Sequence, residues 1–134
     1  MNDRTIIRVK DVMTDNFKIV NGLNTVEQGL AEMKDSSVRT LIVDRRHEDD
    51  EFGIVLLSDI AKKVLAKDRS PARVSLHEIM SKPIVWVEPR MDVRYCARLF
   101  HRLGLSIAPV QEDEQVVGVV SYHEIVLNGL IKLL

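Results

Sequence analysis

A six-residue segment occurs twice in the sequence: residues 9–14 read VKDVMT, and residues 76–81 read LHEIMS. Five of the six positions keep their chemical type, and the sixth pairs Lys10 with His77, which can both carry a positive charge. The second segment begins 67 residues after the first, at position 76 against position 9. An internal repeat outweighs any single motif in deciding a fold. The same offset therefore predicts the counterpart of each later element.

The offset of 67 continues through a predicted helix and a predicted strand. Apolar residues at i, i+4 and i+7 predict one buried helix face in each copy; they are Val26, Leu30 and Met33 and, in the second copy, Val93, Ala97 and Phe100. Thr25 with Gln28 predicts a capping box at the first helix, and Asp92 predicts a cap for the second. Residues 39–44 and 106–111 are apolar, β-branched runs and predict buried strands.

Each copy closes with a predicted strand that runs into a helix, GIVLLSDI at 53–60 and GVVSYHEI at 118–125. The turn before it is two residues shorter in the second copy, so the offset falls to 65. Residues 84–87 predict the first strand of the second copy, and the last helix of the first copy is expected to reach about Ala66. The predicted domains are a first repeat with its lead-in at 1–66, a linker at 67–75 and a second repeat at 76–134.

The composition of the 134 residues excludes several classes of protein. A hydrophobic fraction of 46% and a charged fraction of 29% are ordinary globular values. A net charge of −1 gives no general attraction for nucleic acid, and we predict no nucleic-acid partner. Cys96 is the one cysteine, which excludes an intramolecular disulfide and favours a cytoplasmic protein. We expect no signal peptide and no membrane segment. With no nucleophile–base pair or metal cluster in the sequence, we predict neither an enzyme nor a metal site.

In this order and in duplicate, the motifs resemble a tandem pair of cystathionine-β-synthase (CBS) domains, a Bateman module. The opening segments, the strand that begins at Arg39 and the closing Gly-h-h-x-x-x-acidic pattern, where h is hydrophobic, carry the resemblance from Val9 to about Leu127. It implies an α+β fold of two β-α-β-β-α repeats packed around a pseudo-twofold axis, and a homodimer. It also implies binding of AMP, ADP, ATP or S-adenosylmethionine between the repeats. Since almost nothing lies outside the pair, we expect a stand-alone module that regulates an unidentified protein partner in trans.

The resemblance also implies the ribose site. In the family the closing strand ends in Gly-h-x-Ser/Thr-x-x-Asp, whose hydroxyl and carboxylate contact the ribose and a nearby phosphate; Ser121 and Glu124 match them, and His123 could contact phosphate. A carboxylate can accept both ribose hydroxyl protons. The same Ser-x-x-Glu pattern is also a capping box, and a histidine there is often only exposed. The first copy has Leu56 in place of the hydroxyl residue but keeps a carboxylate at Asp59, so its site is expected to be degraded or empty.

The remaining site residues also come from the resemblance. Adenine is expected against Ile84, Val85, Ala108 and Pro109, for which an ordinary core position is the alternative. Arg39 could hold phosphate, because a guanidinium offers two parallel donors; the alternative is a surface arginine paired with an acidic neighbour.

Two functions therefore stay open. The first is a sensor of an adenosyl compound, which the Ser121/Glu124 pair favours. The second is an interaction module that has lost ligand binding, which Leu56 favours for one of the two clefts.

Overall fold

The computed structural model describes residues 5–83 and 85–134, which form a mixed arrangement of helices and strands, as expected for the α+β class. The α-helices are α1 (Val9–Val12), α2 (Val26–Ser36), α3 (Leu57–Lys63), α4 (Leu76–Ile79) and α5 (Val93–Leu103); the strands are β1 (Lys18–Val20), β2 (Thr40–Val43), β3 (Gly53–Leu56), β4 (Ile107–Glu112) and β5 (Gln115–Ser121). A 3-10 turn covers Leu65–Lys67, a π-helix covers Glu124–Gly129, and a second 3-10 turn covers Leu130–Leu133. None of these described helices has the length and apolar character needed to cross a membrane.

The described chain divides into two compact units that do not coincide with the two sequence repeats. The central unit comprises residues 16–83, and the terminal unit combines residues 5–15 with 85–134. Each unit therefore contains the strands and long helix of one repeat together with the opening segment of the other repeat, where the opening segments are residues 9–14 and 76–81.

The central unit contains a three-stranded sheet in the order β1-β2-β3. Strand β1 pairs with β2 in parallel, with Lys18 opposite Leu41, and β2 pairs with β3 antiparallel, with Thr40 opposite Leu56. The predicted capping box of α2 is confirmed: the Gln28 N–H donates to Thr25 Oγ1 at 3.1 Å, and the Thr25 N–H donates to Gln28 Oε1 at 2.8 Å.

The terminal unit contains the antiparallel β4–β5 hairpin, in which Ile107 pairs with Ser121. Its two-residue turn, Asp113 and Glu114, has φ values of 51° and 64°. Positive φ at both central residues matches the right-handed twist of the two strands. Helix α5 begins at the predicted cap, where Asp92 Oδ1 accepts the Arg94 N–H at 2.8 Å.

The prediction of a strand over residues 84–87 is wrong in extent. Val87 forms one parallel bridge to Val110, using the bonds Val87 N–H to Pro109 O and Gln111 N–H to Val87 O, at 3.1 and 3.0 Å. Extending this ladder to Val85 would require an N–H from Pro109, which proline lacks. Val85 therefore lies outside any strand, and Ile84 lies outside the described residues.

The buried face of α2 also differs from the prediction. Leu30 is 37% exposed, whereas Gly29 is buried, as is its counterpart Cys96 on α5. A Cβ on Gly29 would lie 2.9 Å from Leu76 Cδ2. The glycine thus leaves room for Leu76 of the opening segment. The helix predicted to reach Ala66 ends as an α-helix at Lys63 and continues as the 3-10 turn.

The opening segments pair with the closing strands through backbone and methionine contacts. Thr14 exchanges two hydrogen bonds of 2.9 Å with Val119, and Ser81 exchanges bonds of 2.8 and 3.0 Å with Ile54. Met13 packs on Gly118, where an added Cβ would lie 2.7 Å from its Sδ; Met80 packs on Gly53 in the same way. This contact explains why each closing strand carries a glycine beside the opening methionine.

Candidate functional site

The end of β5 holds the residues predicted to bind ribose. The Ser121 N–H and Oγ both donate to Glu124 Oε1 at 2.7 Å, and Ser121 Oγ accepts the His123 N–H at 3.2 Å. The predicted capping box is confirmed in one half, since the Glu124 carboxylate accepts the Ser121 N–H. In the other half the Ser121 hydroxyl accepts the backbone N–H of His123, whereas the prediction had named that of Glu124. The hydrogen bonds between Ser121 and Glu124 join these two residues where β5 runs into the π-helix.

The residue Glu124 is only 8% exposed, and one oxygen of its carboxylate has unused capacity to accept hydrogen bonds. Among residues 5–83 and 85–134, Oε2 accepts no hydrogen bond and the carboxylate has no ion-pair partner. No fully enclosed side-chain oxygen or nitrogen in this described part of the chain is without a partner, so Oε2 opens to solvent. A carboxylate oxygen accepts two hydrogen bonds. Oε2 therefore has acceptor capacity that the described residues do not use.

Asp59, the equivalent carboxylate of the first repeat, is differently placed. Its Oδ2 accepts the Leu56 N–H at 2.8 Å, while Lys63 Nζ lies 3.5 Å from Oδ1. Lys63 also donates to the carbonyl oxygen of Ile79 at 2.9 Å, which holds the ammonium beside the carboxylate. At the offset of 65, Asn128 takes the position of Lys63 in the second repeat. Sequence reasoning missed this difference, although the same offset could have revealed it.

The residues predicted to contact adenine lie in the terminal unit with Ser121. Ala108 follows Ile107, the hairpin partner of Ser121, and is 1% exposed within the core cluster of that unit. Pro109 is also buried, whereas Val85 is half-buried. Ala108 thus occupies an ordinary core position, the alternative to an adenine contact. Because its side chain is buried, mainly its backbone is left for a ligand to contact. Ile84 lies outside the described residues.

Arg39 and Asp59 belong to the central unit, so the structure does not place them in the unit that holds the other predicted site residues. Arg39 is exposed and its N–H donates to Asn16 Oδ1 at 2.9 Å. Within the part of the chain that the structure describes, its guanidinium forms no ion pair with an acidic neighbour. His123 is exposed beside Glu124. Tyr122, which sequence reasoning did not single out, is 39% exposed and packs its ring edge-on against Phe100 at 5.5 Å.

Each unit also has a pocket at the opposite edge of its sheet. The central pocket has a volume of 350 Å³ and is lined by Asn21, Gly22, Leu23, Val43, Asp44, Arg45, Arg46, Asp50, His77 and Met80. The terminal pocket has 340 Å³ and is lined by Glu88, Pro89, Arg90, Gln111, Glu112 and Asp113. Parallel β1 and β2 both end at the central pocket, whereas Asp59 follows the antiparallel strand β3 and so lies at the other edge. These pockets are separate from the predicted ribose contacts.

One carboxylate that lines the central pocket, Asp50, is paired with two cationic residues. Asp50 accepts the Arg46 N–H at 3.0 Å and an Nζ–H of Lys82 at 3.1 Å. These hydrogen bonds hold the pKa of Asp50 below its ordinary value of 3.8. No group of three or more histidine, cysteine or acidic residues among those described could hold a metal ion.

Cys96 is the one thiol of the chain, and it is buried in the core of the terminal unit. Burial raises the pKa of the Cys96 thiol to about 11, which leaves little of the reactive thiolate at neutral pH. The geometry gives this residue a packing role.

Comparison with known proteins gives the family context of this geometry. The family model for the CBS domain matches residues 9–66 and again residues 76–129. The curated relatives are 25% identical over the matched residues, and the chain spans about half the length of these relatives.

Three solved structures are similar in fold. A hexameric CBS-CP12 protein from bloom-forming cyanobacteria is 36% identical, with a TM-score of 0.85 over 92% of this chain and 68% of that chain. The CBS domain pair of protein MJ0100, in complex with 5′-methylthioadenosine and S-adenosyl-L-methionine, is 22% identical, with a TM-score of 0.77 over 96% and 99%. A CBS domain protein from Pyrobaculum aerophilum complexed with AMP is 18% identical, with a TM-score of 0.78 over 95% and 98%.

Proposed function

The chain belongs to the CBS-domain family, with two such domains in tandem, and from this premise we propose that it is a regulatory module that binds an adenine nucleotide or a related adenosyl compound at the end of β5. The observation that carries the proposal is Glu124, a nearly buried residue whose carboxylate accepts two hydrogen bonds from Ser121 at one oxygen and none from the described residues at the other. Two proteins of the same fold are described in complex with adenosyl ligands, AMP in one and S-adenosyl-L-methionine with 5′-methylthioadenosine in the other.

In this proposal Glu124 Oε2 accepts the ribose hydroxyls, and Ser121 orients the carboxylate. Val85, Ala108 and Pro109 flank the adenine, and His123 contacts phosphate. The roles expected for Ile84, which lies outside the described residues, and for Arg39, which belongs to the central unit, stay predictions from the sequence. Desolvation strengthens a charge-assisted hydrogen bond. A carboxylate without a competing cation is therefore the better acceptor, which favours Glu124 over Asp59 with its Lys63 partner.

The regulatory role follows from ligand linkage and needs no catalytic step. A ligand shifts a conformational equilibrium only when it binds one state better than another. The bound module would present a different surface to a protein partner in trans, and we propose that it acts as a cytoplasmic homodimer. Assembly of copies has a precedent in the CBS-CP12 protein, which is described as hexameric.

Titration calorimetry with AMP, ATP and S-adenosylmethionine tests the site. Glu124→Gln keeps an oxygen for Ser121 but removes the charge, and loss of a charged acceptor costs about 1.5–3 kcal/mol, or roughly 10- to 150-fold in Kd. Ser121→Ala should also weaken binding. Asp59→Asn is the matched control and should change Kd less than threefold. Equal affinities of the wild type and Glu124→Gln would overturn the assignment.

The alternative function, an interaction module without a ligand, is favoured by the first repeat, where Leu56 replaces the hydroxyl residue and Lys63 neutralises Asp59. A thermal-shift screen of ligand-stripped protein separates the two functions. A ligand at a hundred times its Kd stabilises the fold by about 2.7 kcal/mol, which raises Tm by several degrees. No shift with any of the adenosyl compounds would favour the interaction module.

A further inference from the structure

The central pocket, at the edge of the sheet where β1 and β2 end, is not used by the adenosyl site proposed above. It belongs to the central unit, whereas Ser121 and Glu124 belong to the terminal unit. Its volume of 350 Å³ lies near the lower limit of the range in which proteins hold small ligands. The side chains that line the pocket therefore decide which chemical class of ligand it suits.

Arg45 presents a guanidinium to this pocket that the described chain does not neutralise. The residue is half-buried, and its Cζ lies 4.9 Å from the centre of the ring of Phe52, which is only 4% exposed. Its guanidinium forms no ion pair and no hydrogen bond with any other residue of the ranges 5–83 and 85–134. A guanidinium stacked in this way loses less side-chain freedom on binding, and it has two parallel donors for an oxyanion. Arg45 therefore favours an anionic ligand.

Two more donor side chains line the same pocket. Asn21 Oδ1 accepts the Leu23 N–H at 2.8 Å, which leaves the two amide hydrogens of Asn21 for a ligand. The imidazole of His77 is half-buried and has no hydrogen-bond partner in the part of the chain that the structure describes. The backbone N–H of His77 donates to the carbonyl oxygen of Gly22 at 3.1 Å, and this bond holds the residue at the wall of the pocket.

The two carboxylates of the lining do not cancel the positive charge. Asp50 already accepts the Arg46 N–H at 3.0 Å and an Nζ–H of Lys82 at 3.1 Å. Asp44 is exposed, and its Oδ1 accepts the backbone N–H of Arg45 at 2.8 Å. The two carboxylates are thus outnumbered by three cations, Arg45, Arg46 and Lys82.

The equivalent pocket of the terminal unit has the opposite charge. Its volume is nearly the same, at 340 Å³. Its lining contains three carboxylates and one arginine, namely Glu88, Glu112, Asp113 and Arg90. At the offset of 67, Glu112 and Asp113 take the positions of Arg45 and Arg46. Of these two pockets, the central one therefore suits an anion.

We propose that the central pocket binds a small organic oxyanion, a carboxylate or a phosphate ester with a short apolar part. Arg45 pairs with the charge, and Asn21 and His77 donate to the remaining oxygens. The apolar part contacts Val43 and Met80, which line the same pocket. This site goes beyond the proposed function, and it can be occupied whether or not an adenosyl compound binds at the end of β5.

The pocket also joins residues of both sequence repeats. Asn21 and Arg45 belong to the first repeat, whereas His77 and Met80 belong to the opening segment of the second repeat. A ligand that contacts both groups binds only while the opening segment is packed in the central unit. Its binding therefore stabilises that packing by mass action.

Amide chemical shifts of the whole chain test the pocket. Labelled protein is titrated with inorganic phosphate, butyrate and butyl phosphate. The amides of Leu23, Arg45 and His77 should shift, whereas those of Glu112 and Asp113 in the terminal pocket should not. Butyl phosphate should bind more tightly than inorganic phosphate, because its alkyl chain adds apolar contact. The tighter of butyrate and butyl phosphate identifies the carboxylate or the phosphate ester as the ligand class.

Substitutions assign the binding to the donors. Arg45→Gln should raise the Kd of the tighter probe at least about tenfold, because a hydrogen bond to a charged group is lost. His77→Ala removes a neutral donor and should raise the Kd about two- to tenfold. Arg102→Gln, at the exposed end of α5, has the same charge change as Arg45→Gln and should leave the Kd unchanged.

Three results would overturn the proposal. The first is that no amide of the pocket lining shifts at millimolar concentrations of the probes. The second is an equal Kd for the wild type and Arg45→Gln. The third is an Arg102→Gln variant as weak as Arg45→Gln, which would indicate a general effect of charge. If Arg45→Gln loses the dispersed amide signals of a folded chain, His77→Ala decides alone, and an unchanged Kd then refutes the site.

Discussion

The contact between Gly53 and Met80 allows a quantitative test of the packing. A Cβ on Gly53 would overlap Met80 Sδ and lie 3.1 Å from its Cγ and 3.3 Å from its Cβ. Forcing an extra methyl into such a contact costs about 1–3 kcal/mol. Replacing glycine where φ is not positive gains about 0.4–1 kcal/mol by restricting the unfolded chain. Gly53→Ala should therefore lower the free energy of unfolding by up to about 2.5 kcal/mol.

Gly53→Ala should no longer destabilise the fold when Met80 is shortened, because the overlap that outweighs the gain from restricting the unfolded chain is then removed. Met80→Ala removes the Sδ and Cγ atoms and leaves only the Cβ contact of 3.3 Å. Gly53→Ala in that background should be neutral or slightly stabilising, which predicts a coupling energy of about 1–3 kcal/mol between the two positions.

Urea denaturation of the wild type, both single variants and the double variant measures this coupling. Gly104→Ala is the control, because Gly104 has φ of 68° with no atom within 4 Å of its missing Cβ. It should cost about 1–2 kcal/mol in either background. If Gly53→Ala is equally destabilising with and without Met80, the proposed overlap does not determine the cost.

Two further predictions concern titratable groups. The thiol of Cys96 should react with a disulfide reagent at pH 8 far more slowly in the native protein than in urea, because the side chain is buried from the reagent and burial raises its pKa from 9.0 to about 11; equal rates would contradict its burial. The carboxylate of Asp50 has a lowered pKa in the folded protein, so its contribution to stability is complete above the ordinary value of 3.8 and is lost as the pH falls below that value. The stability difference between the wild type and Asp50→Asn, from urea denaturation, should therefore shrink between pH 5 and pH 2, and a constant difference would contradict the role of the Arg46 and Lys82 contacts.

Local patterns predicted the elements whose determinants lie close together in the sequence. The Thr25–Gln28 capping box and the Asp92 cap depend on residues two or three positions apart, and both were predicted. The spacing of Leu30 was misleading, because the buried face of α2 is decided by Leu76, which lies far along the chain and needs the space above Gly29.

The missing strand at Val85 shows a second kind of limit. Its apolar residues fit a strand, but the pairing partner Pro109 cannot donate a hydrogen bond. The length of this strand thus depended on Pro109 in β4. The sequence pattern does not show which residues of two strands lie opposite each other.

The candidate site was predictable in part. The Ser-x-x-Glu spacing led to the hydrogen bonds between Ser121 and Glu124, although the donor to the hydroxyl proved to be His123. The neutralisation of Asp59 by Lys63 depends on a helical neighbour four residues away and on the Ile79 carbonyl, and was not foreseen. The roles of these residues toward a ligand stay predictions until binding is measured.

Each opening segment packs in the unit that holds the strands of the other repeat, and this exchange bears on how such a chain arose. Residues 9–14 complete the strands of the second repeat, and residues 76–81 complete those of the first, through Met13 on Gly118 and Met80 on Gly53. An ancestor with one repeat would have needed an opening segment from another chain, which is the exchange seen in domain-swapped dimers. Duplication of its gene would have placed donor and acceptor in one polypeptide and freed the exchange from its dependence on protein concentration. Two separate halves, divided at the linker, should accordingly exchange their opening segments when they are mixed.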